Sequence, residues 1–493
     1  MFSAGNVRRT RMPRRNASDS SEFISRRQAI ALGASGLLLA GCSRPSPNSQ
    51  SAPTHTVGSL LERKSFFVAH RGSGDNWPEH TAQAYAESLK LGVPALEISV
   101  NSTRDGVLVC HHDQSLLRTT GQDRKIAELT YAELSALRVD ARAWLGPETA
   151  LEPIPAVREV LDRYAASHVI FIEDKQGTNT APLLDLMDSY PDSVEHFVWK
   201  QPASARQVTA AASRGYKTWG YFLPEAIPRL DELAGSFDFL GVFHGADDAT
   251  IGRVVGYGKP VICWEIHTRS ARDRVTALGV QGLMCSNLPY VMSSEAAETR
   301  DRFSTGTRAA GDLPWTTEQG WAAQPVIDAA SASVLLASDQ NISYRLGSMS
   351  PIAKEIHTLS FEMCWPLELP SDQLHAGIAF GQPDDSPYRV LVPSTVGGYH
   401  LIIRPDGELV LYRRDPGNPA GTRLQSIMTA PVRAGEWMRF AIEVTPASVR
   451  FSRLDGAGWS GITMDRQYRG GYSSLCKDYR DAVPVQFRNV TVS

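Results

Sequence analysis

Between Phe66 and Pro289, short apolar runs alternate with longer mixed stretches. The runs are Phe66–Ala69, Ala95–Val100, His168–Glu173, His196–Lys200, Lys217–Phe222, Phe237–Phe243, Pro260–Ile266 and Gly282–Cys285, rich in β-branched and aromatic residues. Stretches between them, such as Ala203–Arg214 and Ala271–Leu278, have the alanine and leucine content of helices. Apolar strands alternating with helices predict a parallel sheet covered on both faces. Eight such units in about 230 residues match an α/β fold of the (β/α)8 TIM-barrel type. An open doubly wound sheet is the competing arrangement, weakened because no G-x-G-x-x-G turn follows the first run. Past Tyr290 the alternation stops, and Ser304–Asp312 reads as a small polar linker. Tyr399–Arg404 and Glu408–Tyr412 then flank the turn signal Pro405-Asp406-Gly407. Trp437–Val444, Val449–Leu454 and Val485–Val492 are further strand candidates, so the last third predicts an all-β, jelly-roll-like sandwich.

Polar residues collect where the barrel runs end: His70-Arg71-Gly72 after the first, Glu97 and Ser99 in the second, Glu173 and Lys175 at the third. Trp264 lies in the seventh, and Ser286-Asn287 follows the eighth. The carboxyl ends of barrel strands form the catalytic face. Because side chains repeat with period two, Glu97 and Ser99 share one face, as do Glu173 and Lys175, while Asp174 points away.

The amino terminus reads as an address. Seven arginines (Arg8, Arg9, Arg11, Arg14, Arg15, Arg26 and Arg27) precede a short, weakly apolar stretch, Ala29–Ala40, ending in Leu39-Ala40-Gly41-Cys42. The pattern resembles a twin-arginine export signal ending in a bacterial lipobox, where the cysteine thiol receives a diacylglycerol. Residues 1–42 are therefore expected to be a signal peptide, residues 43–60 a flexible tether, 61–303 the barrel and 313–493 the sandwich. The expected location is the outer face of the cell membrane or envelope, with membrane lipid engaged through acylated Cys42.

Composition narrows the picture further. The 493 residues are 42% hydrophobic and 21% charged, with 50 basic and 53 acidic residues and a formal net charge of -3. That balance does not suggest a nucleic-acid partner. Six cysteines are too few for a disulfide-dense scaffold, and none makes a zinc-like C-x-x-C. In an oxidising compartment Cys364 and Cys476 are a possible disulfide pair, while Cys110, Cys263 and Cys285 sit in apolar runs as buried thiols.

His70-Arg71-Gly72 with Pro78-Glu79-His80-Thr81 resembles the HRG…PENT opening of the glycerophosphodiester phosphodiesterase family. Glu97-Ile98-Ser99-Val100 with Thr103-Arg104-Asp105-Gly106 is similar to its E-x-D-V…T-x-D-G segment. Val109–Thr120 carries His112-Asp113 at the second-histidine motif. Ile154-Pro155 with Glu159-Val160-Leu161, Glu173-Asp174-Lys175, Trp264 and Gly279–Pro289 complete the series in order. The resemblance implies a phospholipase C-like TIM barrel that cleaves a small phosphodiester substrate to glycerol 3-phosphate and an alcohol. By the same resemblance, His70 and His112 are the catalytic acid–base pair. Arg71 and Lys175 hold the phosphate, Trp264 joins them in binding the substrate, and Glu97, Glu173 and Ser99 hold a divalent metal, Ca²⁺ or Mg²⁺. The sandwich is similar in pattern to concanavalin-like domains, and two readings stay open for it: binding of a cell-surface polymer or glycan, or a packing module that shields or orients the barrel.

Three positions depart from the family pattern. Ser99 stands where the resemblance implies aspartate, His80 where it implies asparagine and Asn287 where it implies aspartate. Glu265 follows Trp264 and is a candidate replacement carboxylate, but strand alternation expects it to point outward. Two further readings therefore stay open: a catalytically weakened barrel that binds phosphodiester head groups or surface polymers, and a phospholipase acting on intact lipids.

Overall fold

The computed structural model describes residues 54–295, 298–313, 325–337, 342–347, 349, 355–386 and 391–493. Residues 1–42, expected to be a signal peptide ending in Cys42, lie outside the described residues. Ala52–Ser493 forms one compact unit. Among the described residues, no helix is long and apolar enough to cross a membrane.

The eight apolar runs become eight parallel strands that close on themselves. They are β1 (Phe66–Ala69), β2 (Ala95–Ser102), β4 (Val169–Asp174), β5 (Phe197–Pro202), β6 (Lys217–Phe222), β7 (Phe239–Phe243), β8 (Val261–Ile266) and β9 (Gly282–Cys285). β1 pairs with both β2 and β9, which completes the barrel. One strand was not foreseen: β3 (Leu108–Cys110) runs antiparallel to β2. The turn between them is closed by Thr103, whose hydroxyl donates to Asp105 at 2.6 Å and whose carbonyl accepts from Gly106 N–H.

Period two explains how this barrel carries both a core and a site. Phe66, Val68, Ala95, Val169, Phe171, Val198, Trp219, Phe239, Ile262 and Met284 form the interior cluster, joined by Val57 and Leu60 of the helix Val57–Leu61. On six of the eight strands the same inward row becomes polar or aromatic two residues further along. Val68 leads to His70, Ala95 to Glu97 and Ser99, Phe171 to Glu173, Val198 to Lys200, Trp219 to Tyr221, and Ile262 to Trp264. Alternate residues on the other face, including Leu96, Ile98, Ile170, Ile172 and Leu240, pack beneath the surrounding helices. The helical stretch at Ala203–Arg214 is shorter than its composition predicts, with helix only at Val208–Ser213. Pro202 ends β5, and Ala205 turns back onto its carbonyl at 2.9 Å.

The last third folds as two antiparallel sheets of seven strands each among the described residues. In one, His357–Cys364 lies between Met438–Val444 and Val485–Val492. In the other, Ala376–Gln382 lies between Gly398–Ile403 and Tyr472–Lys477. Met438–Val444 buries every second residue, as a half-exposed strand should. Phe361 stacks on Phe440 at 5.1 Å within the shared core. At Pro405-Asp406-Gly407, Gly407 adopts φ +93, as the tight hairpin requires. The Cys364–Cys476 disulfide is not formed: both thiols are free and buried. Their strands belong to different sheets, which separates them across the sandwich.

Asp385, buried beyond the strand Ala376–Gln382, joins the two halves. Its carboxylate accepts from Arg269 N–H at 2.7 Å and Ser270 N–H at 2.9 Å, the first two amides of the helix Arg269–Ala277. It also accepts from the Tyr290 hydroxyl at 2.9 Å. Helix amides at this end have no intrahelical acceptor, so a carboxylate here satisfies donors and favours the helix dipole. Asp385→Ala is expected to destabilise the folded chain by about 2–4 kcal/mol, since several buried donors lose a charged acceptor together. Urea unfolding of wild type and variant measures the difference.

Candidate active site

The first turn after β1 is tightly constrained. Arg71 sits at φ +52 and Gly72 at φ +76, and a Cβ on Gly72 would lie 2.7 Å from the Cβ of Ala84. Glycine is therefore required for the chain to press against the helix Ala82–Lys90. This turn aims the Arg71 N–H at Glu97 Oε2, 3.0 Å away. It also leaves the His70 ring buried, with Nδ1 2.7 Å from Ser286 Oγ and Nε2 3.9 Å from Glu265 Oε1. Burial outweighs Glu265 and pulls the His70 pKa down to about 4, so the ring is neutral near pH 7.

His112 arrives from the segment after β3, with Nδ1 2.7 Å from Asp113 Oδ1. Asp113 in turn accepts from Arg118 Nε at 2.7 Å. Burial lowers the His112 pKa, partly offset by Asp113. The neighbouring His111 turns inward instead and is held by Thr119 Oγ1 and the Asp113 carbonyl, each at 2.7 Å. Glu79 of the Pro78-Glu79-His80-Thr81 segment supports both sides of the site. It accepts from both terminal nitrogens of Arg118, at 2.5 and 3.0 Å, and lies 3.4 Å from Arg71 Nη1. His80, at φ +58, is buried against the Tyr85 hydroxyl at 2.7 Å.

At the centre are two buried carboxylates and a lysine that the sequence reading did not select. Lys200 Nζ donates to Glu97 Oε1 at 2.8 Å and to Glu173 Oε2 at 2.5 Å. Ser99 Oγ donates to Glu97 Oε1 at 3.0 Å, Tyr221 OH to Glu173 Oε1 at 2.7 Å, and Lys175 Nζ lies 3.1 Å from Glu173 Oε2. Burial alone would raise both carboxyl pKa values, but Lys200 holds each below the ordinary range, that of Glu97 well below. Burial alone would likewise lower the Lys200 pKa, and Glu173 and Glu97 together keep it raised. Lys175 moves the other way, lowered by burial and by Lys200. The signal for Lys200 was present: it is the last inward residue of its run, two after Val198.

Glu265 is a correction. Strand alternation expects it to face outward, yet it lines the same cleft as Trp264. The β8–β9 pairing shifts register between Cys263 and Ile266, and such an irregularity re-aims side chains. The Trp264–Glu265 peptide is cis. Glu265 lies 3.7 Å from Arg71 Nη2 and 3.3 Å from His267 Nε2. Burial alone would lower the His267 pKa, but Asp75 at 2.6 Å and Glu265 push it up to about 9.

These groups surround a cleft of about 200 Å³ lined by His70, Arg71, His112, Lys175, Lys200 and Trp264. The Trp264 ring meets Tyr221 edge-on at 5.3 Å. A second cavity of about 730 Å³ shares Glu265 and is walled by His244 and Arg274 of the barrel with Arg345 and Asp384 of the sandwich.

Glu97, Ser99 and Glu173, the expected metal ligands, do converge, but they do not fit a divalent cation. The facing oxygens of both carboxylates already accept from an ammonium, and the Ser99 hydroxyl is directed at Glu97. A hard cation draws affinity from ligand charge and free oxygen lone pairs. Here two lysines offset the charge of the two carboxylates.

Residues 70–271 match the model of the glycerophosphoryl diester phosphodiesterase family. A Bacillus subtilis protein named for that activity, YhdW, is 24% identical over 236 residues, covering 46% of this chain and 96% of its own length. The glycerophosphodiester phosphodiesterase of Bacillus altitudinis is 35% identical over 131 residues, 26% of this chain and 52% of that protein. Among solved structures, an Oleispira antarctica phosphodiesterase in complex with the product sn-glycerol-3-phosphate aligns at 22% identity and a TM-score of 0.39. That alignment covers 45% of this chain and 92% of the other. Sequence motifs, strand order and the family match coincide over the same residues, and through its barrel the chain is similar to the glycerophosphoryl diester phosphodiesterase family.

Proposed function

We propose that the barrel mouth hydrolyses glycerophosphodiesters to glycerol 3-phosphate and an alcohol. The observation that carries this reading is the convergence of two imidazoles and three cationic side chains, Arg71, Lys175 and Lys200, on one small cleft. A phosphodiester is an anion whose cleavage needs proton transfer at both the entering and the leaving oxygen, together with charge stabilisation on phosphorus-bound oxygens. Arg71 suits the phosphate further, because its buried Nε has no hydrogen-bond partner among the described residues. One imidazole takes the proton of the attacking hydroxyl as its oxygen bonds to phosphorus. The other protonates the departing alkoxide as its phosphorus–oxygen bond breaks. Asp113 orients the His112 ring and Ser286 the His70 ring.

We also propose that the protein is exported and anchored through acylated Cys42, so that it works at the outer membrane surface. Support for this rests on the arginine pair and the Leu39–Cys42 motif.

His70→Ala and His112→Ala are each expected to lower turnover of glycerophosphodiesters by about 10²–10⁴-fold while leaving the fold intact. Near-normal turnover in either variant would rule out the acid–base assignment. Because burial holds the His70 pKa at about 4, its neutral form is lost only as pH falls through that value. The acid limb of kcat/KM governed by His70 should accordingly lie near pH 4, well below the ordinary histidine range; pH–rate profiles locate it. For the anchor, labelled fatty acid should enter the full-length protein in cells but not Cys42→Ala, and equal labelling would exclude lipidation there.

A further inference from the structure

The misfit between the carboxylates and a metal has a positive counterpart. We propose that the Lys200 ammonium takes the place of the divalent cation, so that this barrel cleaves its phosphodiester without metal; the inference rests on the phosphodiesterase reading above.

Three independent observations converge on it. The first is position. Lys200 is buried at the catalytic end of β5, in the inward row, and its Nζ bridges Glu97 and Glu173 at 2.8 and 2.5 Å. These are the two carboxylates that the family resemblance assigns to the cation. Its place is fixed from the other side by the rings of Trp219 and Tyr221, whose centroids lie 5.8 and 5.4 Å from Nζ.

The second is charge. The family pattern combines three carboxylates and one lysine with a divalent cation, which sums to zero. Here Ser99 removes one negative charge and Lys200 adds one positive charge. Glu97 and Glu173 with Lys175 and Lys200 again sum to zero with no ion required, and the Glu265 carboxylate in the same cleft is faced by cations of its own, Arg71 at 3.7 Å and His267 at 3.3 Å. A divalent cation entering this cluster would give a net charge of two and would have to displace an ammonium from both carboxylates.

The third is chemistry. Lys200 lines the cleft beside Lys175, Arg71 and His112, within the set of groups that a phosphate would meet. An ammonium cannot supply the Lewis acidity of a metal, but it can stabilise charge on phosphorus-bound oxygens as a fixed point charge. The serine is then accommodated rather than defective: its hydroxyl donates to Glu97 Oε1, the same oxygen that Lys200 holds, and completes that carboxylate's shell.

The test uses the full chain after exhaustive dialysis against EDTA. CaCl₂ and MgCl₂ are titrated calorimetrically into wild type, Lys200→Ala, and the double variant Ser99→Asp with Lys200→Ala. Hydrolysis of glycerophosphocholine is followed in EDTA and in added cation. Wild type should show no saturable binding of either ion up to about 1 mM, a range in which weak extracellular oxygen sites bind calcium, and its turnover should be the same in EDTA and in metal. Lys200→Ala should lose about 100-fold or more of the metal-free rate, the scale for removing a positioned charge-stabilising group. The double variant should gain cation binding. Saturable binding to wild type that Glu97→Gln abolishes, with turnover lost in EDTA and restored by the ion, would overturn the proposal. So would a double variant that stays folded by circular dichroism yet binds no cation, because Lys200 would then not be what excludes it. If no glycerophosphodiester is turned over in any condition, the phosphodiesterase reading fails, and the cation titrations still decide the role of Lys200 by the same outcomes.

Discussion

Two carboxylates buried a few ångströms apart at the mouth of a barrel cannot both stay ionised unless a positive charge lies between them. Glu97 and Glu173 meet that constraint through Lys200, and much of the surrounding arrangement follows from it. Desolvating three ions is costly, and good geometry with saturated hydrogen bonding is what offsets the cost. The partners are present: Ser99 and the Arg71 amide on Glu97, Tyr221 and Lys175 on Glu173. The Arg71 amide can reach Glu97 only because the chain turns through left-handed conformations at Arg71 and Gly72, which also sets the neighbouring His70. Backbone strain concentrated at such a turn is typical of a functional site, where the surrounding packing must over-determine the conformation.

Much of this was legible in the sequence because the barrel follows one rule throughout. A strand whose inward row is apolar along its length and polar at its carboxyl end announces both the core and the mouth, as Val68 with His70 and Phe171 with Glu173 do. The outward turn of Asp174 follows from the same alternation; Asp174 receives the amides of Gln176, Gly177 and Asn179 in the loop beyond β4. What was not legible came from places where the rule is interrupted or where compensation is distant. Glu265 faces the cleft because β8 and β9 slip in register, a local irregularity that composition does not signal. Lys200 obeys alternation, but its significance depends on Ser99, 101 residues earlier in the chain and two strands away in the barrel. Cys364 and Cys476 are successive cysteines in the last third of the chain, yet they fall on opposite sheets.

The sandwich is more than an appendage, since it supplies part of the barrel's own structure. Arg345 and Asp384 help to wall the larger cavity beside the cleft, and the Arg345 guanidinium donates to the Asp385 carbonyl at 2.7 Å. The chain crossing from barrel to sandwich is pinned as well, with Asp301 N–H donating to the Val490 carbonyl at 2.8 Å and Val492 N–H to the Thr299 carbonyl at 2.8 Å. The closing strand thus holds the linker that leads into its own domain.

The position of Asp385 carries a consequence for the order of events during synthesis. The helix that follows the seventh barrel strand begins at Arg269, but the carboxylate that receives its first amides is 116 residues further on. Chains grow from the amino terminus, and domains generally fold as they emerge. A nascent chain that has completed all eight barrel strands still lacks this acceptor, and the Tyr290 hydroxyl beside it still lacks a partner. The rim next to Trp264 and Glu265 is therefore finished only when the sandwich strand ending at Gln382 has left the ribosome, so the catalytic half of the molecule matures on the timetable of the half that follows it.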